Sequence, residues 1–253
     1  GSELLADSCG NCPSCLKYKK LAHPDLHFIF PVATTKSITT KPTSAQFLPQ
    51  WREALIESNY YLNLNEWYDK IGIENKQGRI GVDDANQVVK TLGLRAYEGD
   101  YKVMIIWMVE KLYHAAAPKL LKILEEPPEK TLFILIAEDT NIILKTILSR
   151  TQLVKLLPLK DADLHEYLSR NFSASEAKID AIVNLADGNF KKVFPILTNT
   201  EVDNPYFEHF REMMLLSYQR DFIKMRDKSD ALSKIGRENI KQLLQYGMRI
   251  VRL

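Results

Sequence analysis

Four short apolar runs, separated by stretches with helical periodicity, most constrain what this chain can fold into. The runs are Leu26–Val32, Lys102–Trp107, Thr131–Ala137 and Gln152–Leu157. Runs of this length and apolar content predict strands that are buried on both faces of a sheet. An amphipathic pattern over Ala115–Glu126 lies between the second and third runs, and two prolines end it. Alternation of strand, helix and strand predicts an α/β fold with a mainly parallel sheet.

The rest of the chain is predicted to be largely helical. The predicted helices are Trp51–Trp67, Val82–Leu92, Ala162–Phe172, Ser175–Ala186, Phe190–Leu197, Tyr206–Met225 and Asp230–Leu253. Two polar connections are expected, at Thr34–Pro49 and Gly72–Gly81. The change in character after Pro158 predicts three parts: an α/β part over 1–157, a small helical part over 158–200, and a further helical part over 201–253.

Composition excludes several classes of protein. Of the 253 residues, 45% are apolar and 26% are charged, which is incompatible with a collagen, a disordered chain or a disulfide scaffold. No apolar run approaches the roughly 18 residues of a membrane helix, and no secretory signal is present. We therefore expect a cytoplasmic protein without a membrane partner. The net charge of +2 does not point to nucleic acid, although it permits a local basic face.

All three cysteines lie within seven residues, at Cys9, Cys12 and Cys15. Thiolates at this spacing can converge on one tetrahedral zinc ion, which requires a fourth ligand in a structural site. The candidates for that ligand are Asp7, His23, His27 and sequence outside this chain. An iron–sulfur cluster, a redox pair and an unoccupied segment are the alternatives.

The end of the second predicted strand lacks the groups that a nucleotide hydrolase needs there. Such enzymes place metal-binding carboxylates after a buried strand, whereas this strand ends with Trp107 and Met108. Glu110 follows later and is expected on a loop or the next helix. The phosphate-loop pattern GxxxxGK[ST] is absent from the sequence. The strand is therefore interpreted as part of the core rather than as a catalytic strand.

Several unusual strings occur in one order along the chain. They are CGNCPSC, HPDLHF, a strand that begins with KV, AAAPKLLKILEEPP, a further strand, and TILSR before the fourth run. In this content and order the chain resembles the bacterial clamp-loader subunits of the AAA+ class from Cys9 to about Leu159, with a weaker helical continuation. The resemblance implies an incomplete AAA+ core that lacks its first strand and phosphate loop, followed by a helical lid and the start of a helical collar.

The resemblance also implies roles for individual residues. The zinc module of the family falls on Cys9, Cys12 and Cys15, with its remaining cysteine upstream of this chain. The serine and arginine of the family's SRC motif fall on Ser149 and Arg150, so Arg150 is the expected arginine finger toward a neighbouring subunit.

The family's remaining nucleotide-site positions carry altered residues here. The Walker B Asp-Glu pair corresponds to Trp107 and Met108, and the sensor-1 threonine falls near Ala137 and Glu138. A basic sensor-2 position falls near Lys191. Pro118 replaces the usual asparagine, which brings the local helix geometry into question.

The function implied is that of a non-hydrolysing accessory subunit that helps to load the sliding clamp onto primed DNA. Its partners would be clamp-loader subunits of the gamma/tau and delta types, with clamp and DNA contacted through the assembled complex. Zinc would be its cofactor, and no ATP site is expected in this chain. The alternatives are a hydrolysing clamp-loader ATPase and a zinc-containing nucleic-acid-binding module. Trp107 and Met108 argue against the first, and the near-neutral charge argues against the second.

Overall fold

The computed structural model describes residues 8–73, 76–172, 174–193 and 205–251. The chain forms two compact units, Gly1–Leu153 and Val154–Leu253. The first contains a sheet of three parallel strands in the order β1-β2-β3. The strands are β1 (Leu26–Ile29), β2 (Lys102–Trp107) and β3 (Thr131–Ile136). The predicted α/β class and parallel sheet are confirmed for this unit.

Six α-helices accompany the sheet in the described residues of the first unit. They are α1 (Pro13–Lys19), α2 (Leu48–Glu57), α3 (Leu64–Ile71), α4 (Val82–Leu92), α5 (Ala117–Glu125) and α6 (Lys145–Leu148). Pro118 lies in the first turn of α5, where a missing N–H costs no hydrogen bond, so the helix accommodates it. Lys102 is buried at the start of β2, and its ammonium donates to the carbonyls of Leu92 and Leu94 at the end of α4. This bond fixes α4 against the sheet.

The first unit has two apolar clusters. In the first, Ile29, Met104 and Ile106 pack with side chains of α4 and α5. The second is an aromatic cluster in which Phe30 and Trp107 each contact the ring of Trp51, with centroid distances of 4.2 and 5.0 Å. The second cluster is supplied largely by α2 and α3, which lie in the connection between β1 and β2.

Among its described residues, the second unit contains helices and no strand. Its helices are α7 (Asp161–Asn171), α8 (Glu176–Ala186), α9 (Pro205–Gln219), α10 (Phe222–Ser233) and α11 (Arg237–Val251). Leu164 and Leu168 of α7 pack on Ile182 and Val183 of α8 to form a small core. The predicted boundary at residue 200 lies outside the described residues, as does 194–197 of one predicted helix. The three-part division stays a prediction. In the described parts of the chain, no helix is both long and apolar enough to cross a membrane.

The fourth predicted strand is wrong. Residues 152–157 are exposed and form no strand, with Val154 73% and Leu156 89% exposed. An apolar run becomes a strand only beside a hydrogen-bonded neighbour, and none of the described residues supplies one here. The edge of β3 that faces away from β2 likewise lacks a strand partner among the described residues.

Three predicted helices are shorter than expected because a local signal interrupts each. The predicted helix Trp51–Trp67 is two helices, since Asn59 and Tyr60 have positive φ angles and Asn63 begins α3 with a capping box. A left-handed Arg220 separates α9 from α10, and a left-handed Gly236 precedes α11. Apolar periodicity continues across all three breaks, which is why it did not reveal them.

Candidate functional site

The three cysteines form a compact cluster at the start of α1. Their Sγ atoms all lie within 4.8 Å of one another, and those of Cys9 and Cys15 are 3.7 Å apart. The N–H of Cys12 donates to Cys9 Sγ and the N–H of Cys15 donates to Cys12 Sγ, each at 3.4 Å. Gly10 permits the turn because its φ of 73° is accessible to glycine at little cost. The loop thus directs three sulfur atoms to one point.

The cluster favours the thiolate form of Cys9. Backbone N–H groups of Asn11 and Cys12 lower the pKa of Cys9 to about 7. The side-chain hydrogen bond with Cys12 raises the pKa of Cys15, as is expected when neighbouring thiols share a proton. Deprotonated sulfur is the form that binds metal. Three converging sulfur atoms therefore fit a thiophilic ion such as zinc.

The two histidines proposed as a fourth ligand do not join the cluster. The Nδ1 of His23 accepts the N–H of Asp25 at 3.1 Å, and its ring stacks on Tyr18 with centroids 4.1 Å apart. His23 is buried, whereas Cys9 is exposed. His27 lies in β1, where burial lowers its pKa. Asp7, the other candidate in the chain, lies outside the described residues.

A set of polar contacts that the sequence did not reveal holds α1 against the rest of the first unit. Asp25 accepts the N–H groups of residues 97, 98 and 99 at 2.6, 2.8 and 2.8 Å. Burial alone would raise the pKa of Asp25, but these donors hold it below its usual value. Lys17 of α1 forms an ion pair with Glu98 of the same loop. The sequence feature that could have indicated this contact is Asp25 itself, the aspartate of the string HPD. The N–H groups that it binds lie 72 or more residues further along the chain.

The carboxyl end of β2 is apolar. Trp107 is 9% exposed and Met108 is 2% exposed, and both belong to the aromatic cluster around Trp51. Met108 also has a left-handed backbone, with φ 56°. Glu110 lies in a 3₁₀ turn after the strand, as expected, and its Oε1 accepts the N–H of Glu138 at 3.1 Å. The side chains that leave β2 thus fill the core.

Arg150 lies just after α6, close to the end of α5. Its guanidinium donates to the carbonyl of Thr146 at 2.8 Å and forms an ion pair with Glu125. The side chain of Arg150 is 32% exposed. Glu125 was not identified as a functional residue from the sequence, although it is the first glutamate of the string LEEPP. In the second unit, Lys191 lies in a 3₁₀ turn, where its N–H donates to Asn189.

The chain is similar to several known proteins of DNA replication. The family model described as "DNA polymerase III, delta subunit" matches residues 2–160. The DNA polymerase III subunit delta′ of Escherichia coli K12 is 33% identical over 122 residues, which are 48% of this chain and 36% of the relative. Its counterpart in Buchnera aphidicola (subspecies Schizaphis graminum) is 30% identical over 142 residues, 56% of this chain and 42% of the relative.

A more distant match is to an archaeal protein. The replication factor C small subunit of Sulfurisphaera tokodaii is 24% identical over 214 residues, 75% of this chain and 64% of the relative. The chain spans only 36% and 42% of the lengths of the two delta′ relatives named above. The family model nevertheless covers more than half of this chain, and the chain therefore belongs to the DNA polymerase III delta′ family of clamp-loader subunits.

Proposed function

We propose that this protein is a non-hydrolysing accessory subunit of the replicative clamp loader, which helps to place the sliding clamp on primed DNA. The observation that carries the proposal is the apolar end of β2. Hydrolysis of ATP requires a Mg²⁺ ion held by carboxylates at this position. Trp107 and Met108 offer none, and their burial in the aromatic cluster closes the position to solvent.

The proposed contribution to catalysis is Arg150, acting on the ATP site of a neighbouring subunit. A guanidinium at such a site stabilises the charge that develops on the transferred phosphoryl group. Arg150 is partly exposed at the end of a short helix, which favours contact with another chain. Its carbonyl and carboxylate partners hold the side chain in one conformation before assembly, which lowers the entropic cost of inserting it.

The proposed cofactor is zinc, bound by Cys9, Cys12 and Cys15 with a fourth ligand outside the described residues. When bound, the ion would stabilise the loop that leads into α1. The role of these residues is structural, since none of them approaches the end of β2 in the described contacts.

We propose that the first unit is an incomplete AAA+ core and that the second contains the lid and the start of the collar. The edge of β3 that has no strand partner among the described residues supports this assignment, as does the apolar face that β3 exposes. Leu132, Ile134 and Ile136 are 49%, 39% and 42% exposed. A further strand beside β3 would pair with its open edge, and the helix that follows that strand would cover its exposed apolar face.

Two measurements test the function. The purified protein should show no ATP turnover above background when it is alone. It should also co-elute in size-exclusion chromatography with clamp-loader subunits of the gamma/tau and delta types. ATP hydrolysis by the purified chain would instead favour the ATPase alternative, and failure to co-elute would contradict the assignment to the loader.

A further inference from the structure

We propose that Glu125, the last residue of α5, is a positioning residue that orients the guanidinium of Arg150 for the ATP site of the neighbouring subunit. The inference rests on the proposed function of Arg150 and adds a second residue to it. Glu125 would not touch the nucleotide, because it acts only through its ion pair with Arg150.

The backbone positions of both residues are fixed by one apolar core. Ile123 of α5 and Ile147 of α6 are 8% and 2% exposed and belong to the same cluster of buried side chains. Glu125 follows Ile123 by two residues, and the N–H of Arg150 donates to the carbonyl of Ile147 at 3.0 Å. The points from which the two side chains leave the backbone are therefore set by packing rather than by the ion pair.

The guanidinium of Arg150 is held from two sides. Its Nη1 donates to the carbonyl of Thr146 at 2.8 Å and to the hydroxyl of Ser149 at 3.3 Å, which are groups of α6 and its end. Its Nη2 donates to Oε1 of Glu125, which comes from α5. Bonds to both Nη atoms fix the plane of the group. Without Glu125, the described bonds would hold Nη1 alone, and the plane could rotate.

These bonds leave part of the guanidinium available to a ligand. An arginine side chain has five N–H donors, and the three described bonds occupy at most three of them. The side chain of Arg150 is 32% exposed and that of Glu125 is 48% exposed, so water screens the attraction between their charges. Arg150 can therefore keep its contact with Glu125 and still present N–H groups to phosphate oxygens.

The stability of α5 does not explain a glutamate at its end. The carboxyl end of a helix disfavours negative charge, yet Glu125 and Glu126 follow each other there. Both side chains are exposed, and of the two only Glu125 takes part in the described ion pairs. The pairing with Arg150 gives Glu125 a role that its neighbour lacks, and Glu126 provides a control with the same charge in the adjacent position.

Orientation of the guanidinium matters for the chemistry proposed. Donors stabilise the charge of a phosphoryl transition state only if they already point to where that charge develops. The planar fork of arginine meets two oxygens at once, so a rotation of its plane loses one of the two bonds. A side chain that fixes this plane therefore contributes to the rate without contacting the reacting atoms.

The test is ATP hydrolysis by a reconstituted clamp loader, measured at the site that faces this subunit. We expect Glu125→Ala to lower that rate by about ten-fold, whereas Glu126→Ala should leave it within about two-fold of the unmodified complex. Glu125→Gln keeps an oxygen that can accept from Nη2 and should lose less than Glu125→Ala does. Thermal melting of each variant confirms that it is folded.

Two further measurements separate positioning from a merely structural role. In a subunit that already carries Arg150→Ala, adding Glu125→Ala should cause no further loss of rate, because no guanidinium is left to orient. In the isolated protein, NMR relaxation of the Arg150 Nε–H should show a lower order parameter in Glu125→Ala and an unchanged one in Glu126→Ala.

Three results would overturn the proposal. Equal rates for Glu125→Ala and Glu126→Ala would show that the pairing is not needed, and a further loss in the Arg150→Ala background would show that Glu125 acts by another route. A higher rate in Glu125→Ala would mean that Glu125 holds Arg150 back.

The unmodified glutamate in an Arg150→Ala complex separates this proposal from the proposed function. If Arg150→Ala lowers the rate and Glu125→Ala does not, only the role of Glu125 fails. If Arg150→Ala itself leaves the rate unchanged, the proposed function of Arg150 fails, and the role of Glu125 fails with it.

Discussion

At the scale of single residues, Trp107 and Met108 decide what the end of β2 can do. A carboxylate there would have to be solvated or metal-bound, but both side chains are buried beside Trp51, with the rings of Trp107 and Trp51 5.0 Å apart. An aromatic side chain in such a cluster contributes several kcal/mol through burial and ring contacts. These residues stabilise the core at the carboxyl end of a buried strand, where nucleotide hydrolases place metal-binding carboxylates.

Acidic residues introduced at this position should therefore destabilise the fold and should not create an enzyme. We expect Trp107→Asp with Met108→Glu to lower the free energy of unfolding by about 4 kcal/mol or more, because a cavity and two uncompensated charges enter the aromatic cluster. Denaturant unfolding and an ATPase assay check this. Trp107→Phe is the control and should cost much less. An active, stable double variant would show that the position tolerates a metal site.

The titration of two buried carboxyl groups gives a second test at this scale. Three N–H donors hold the pKa of Asp25 below its unfolded value of about 3.9, so the stability that Asp25 contributes is present above that pH and is lost as pH falls through the folded pKa. Burial raises the pKa of Asp84, so its ionisation opposes folding as pH rises through the unfolded value.

We expect Asp25→Asn to destabilise the protein by about 1–3 kcal/mol at pH 7, because backbone donors lose their charged acceptor. The difference from the unmodified protein should shrink below about pH 4, where the carboxyl group is protonated first in the unfolded chain and then, at lower pH, in the folded protein. Asp84→Asn should have the opposite effect on the pH dependence of stability, because it removes a group whose ionisation opposes folding as pH rises. Urea unfolding at a series of pH values measures both, and parallel pH profiles for the two variants would contradict these assignments.

At the scale of elements, the segment that begins α1 is built by its cysteines rather than by apolar packing. α1 has no buried residue, and the thiol of Cys12 caps its first turn. The contacts that hold the helix to the first unit are the stacked ring of Tyr18 on His23 and the Lys17–Glu98 ion pair. A bound ion would therefore contribute much of the order in this segment.

We expect the protein purified with its complete zinc-binding segment to contain about one zinc ion per chain by elemental analysis. Cys12→Ser should lose the ion and the helical order of residues 13–19, as measured by hydrogen exchange, while residues of β2 keep their protection. Ser14→Ala is the matched control in the same turn. A protein without metal, or a Cys12→Ser variant that retains it, would contradict the assignment of zinc.

Patterns of apolar residues predicted most of the elements, and the errors have two causes. Local breaks divide the predicted helices without interrupting the apolar periodicity, and other features depend on residues that are distant in the chain. Strand β2 and helix α4 begin and end at the predicted residues, because the apolar pattern and the residues that flank it indicate the same ends there. The fourth strand failed because strand formation depends on a neighbour elsewhere in the molecule. At the candidate site, the cysteine cluster followed from spacing alone, whereas the pairing of Arg150 with Glu125 depends on how α5 and α6 meet, 25 residues apart in the chain.

At the scale of the whole molecule, charge is distributed unevenly, which the net charge does not show. The net charge of +2 is close to neutral, yet segments 33–43, 76–80 and 111–119 contain basic residues and no aspartate or glutamate. Many of the described carboxylates elsewhere in the chain are engaged in helix caps, ion pairs and backbone hydrogen bonds. A nearly neutral chain can therefore have local stretches of a single charge sign.

The protein is proposed to serve the ATP site of a neighbouring subunit and to have no ATP turnover of its own. The most direct test is a reconstituted clamp loader in which Arg150 is replaced by alanine and hydrolysis is measured at the site that faces this subunit. We predict that Arg150→Ala leaves assembly intact and lowers that rate by about 10³-fold or more, with poor rescue by Arg150→Lys. An unchanged rate of ATP hydrolysis at that site, in a fully assembled complex that carries Arg150→Ala, would contradict this role of Arg150.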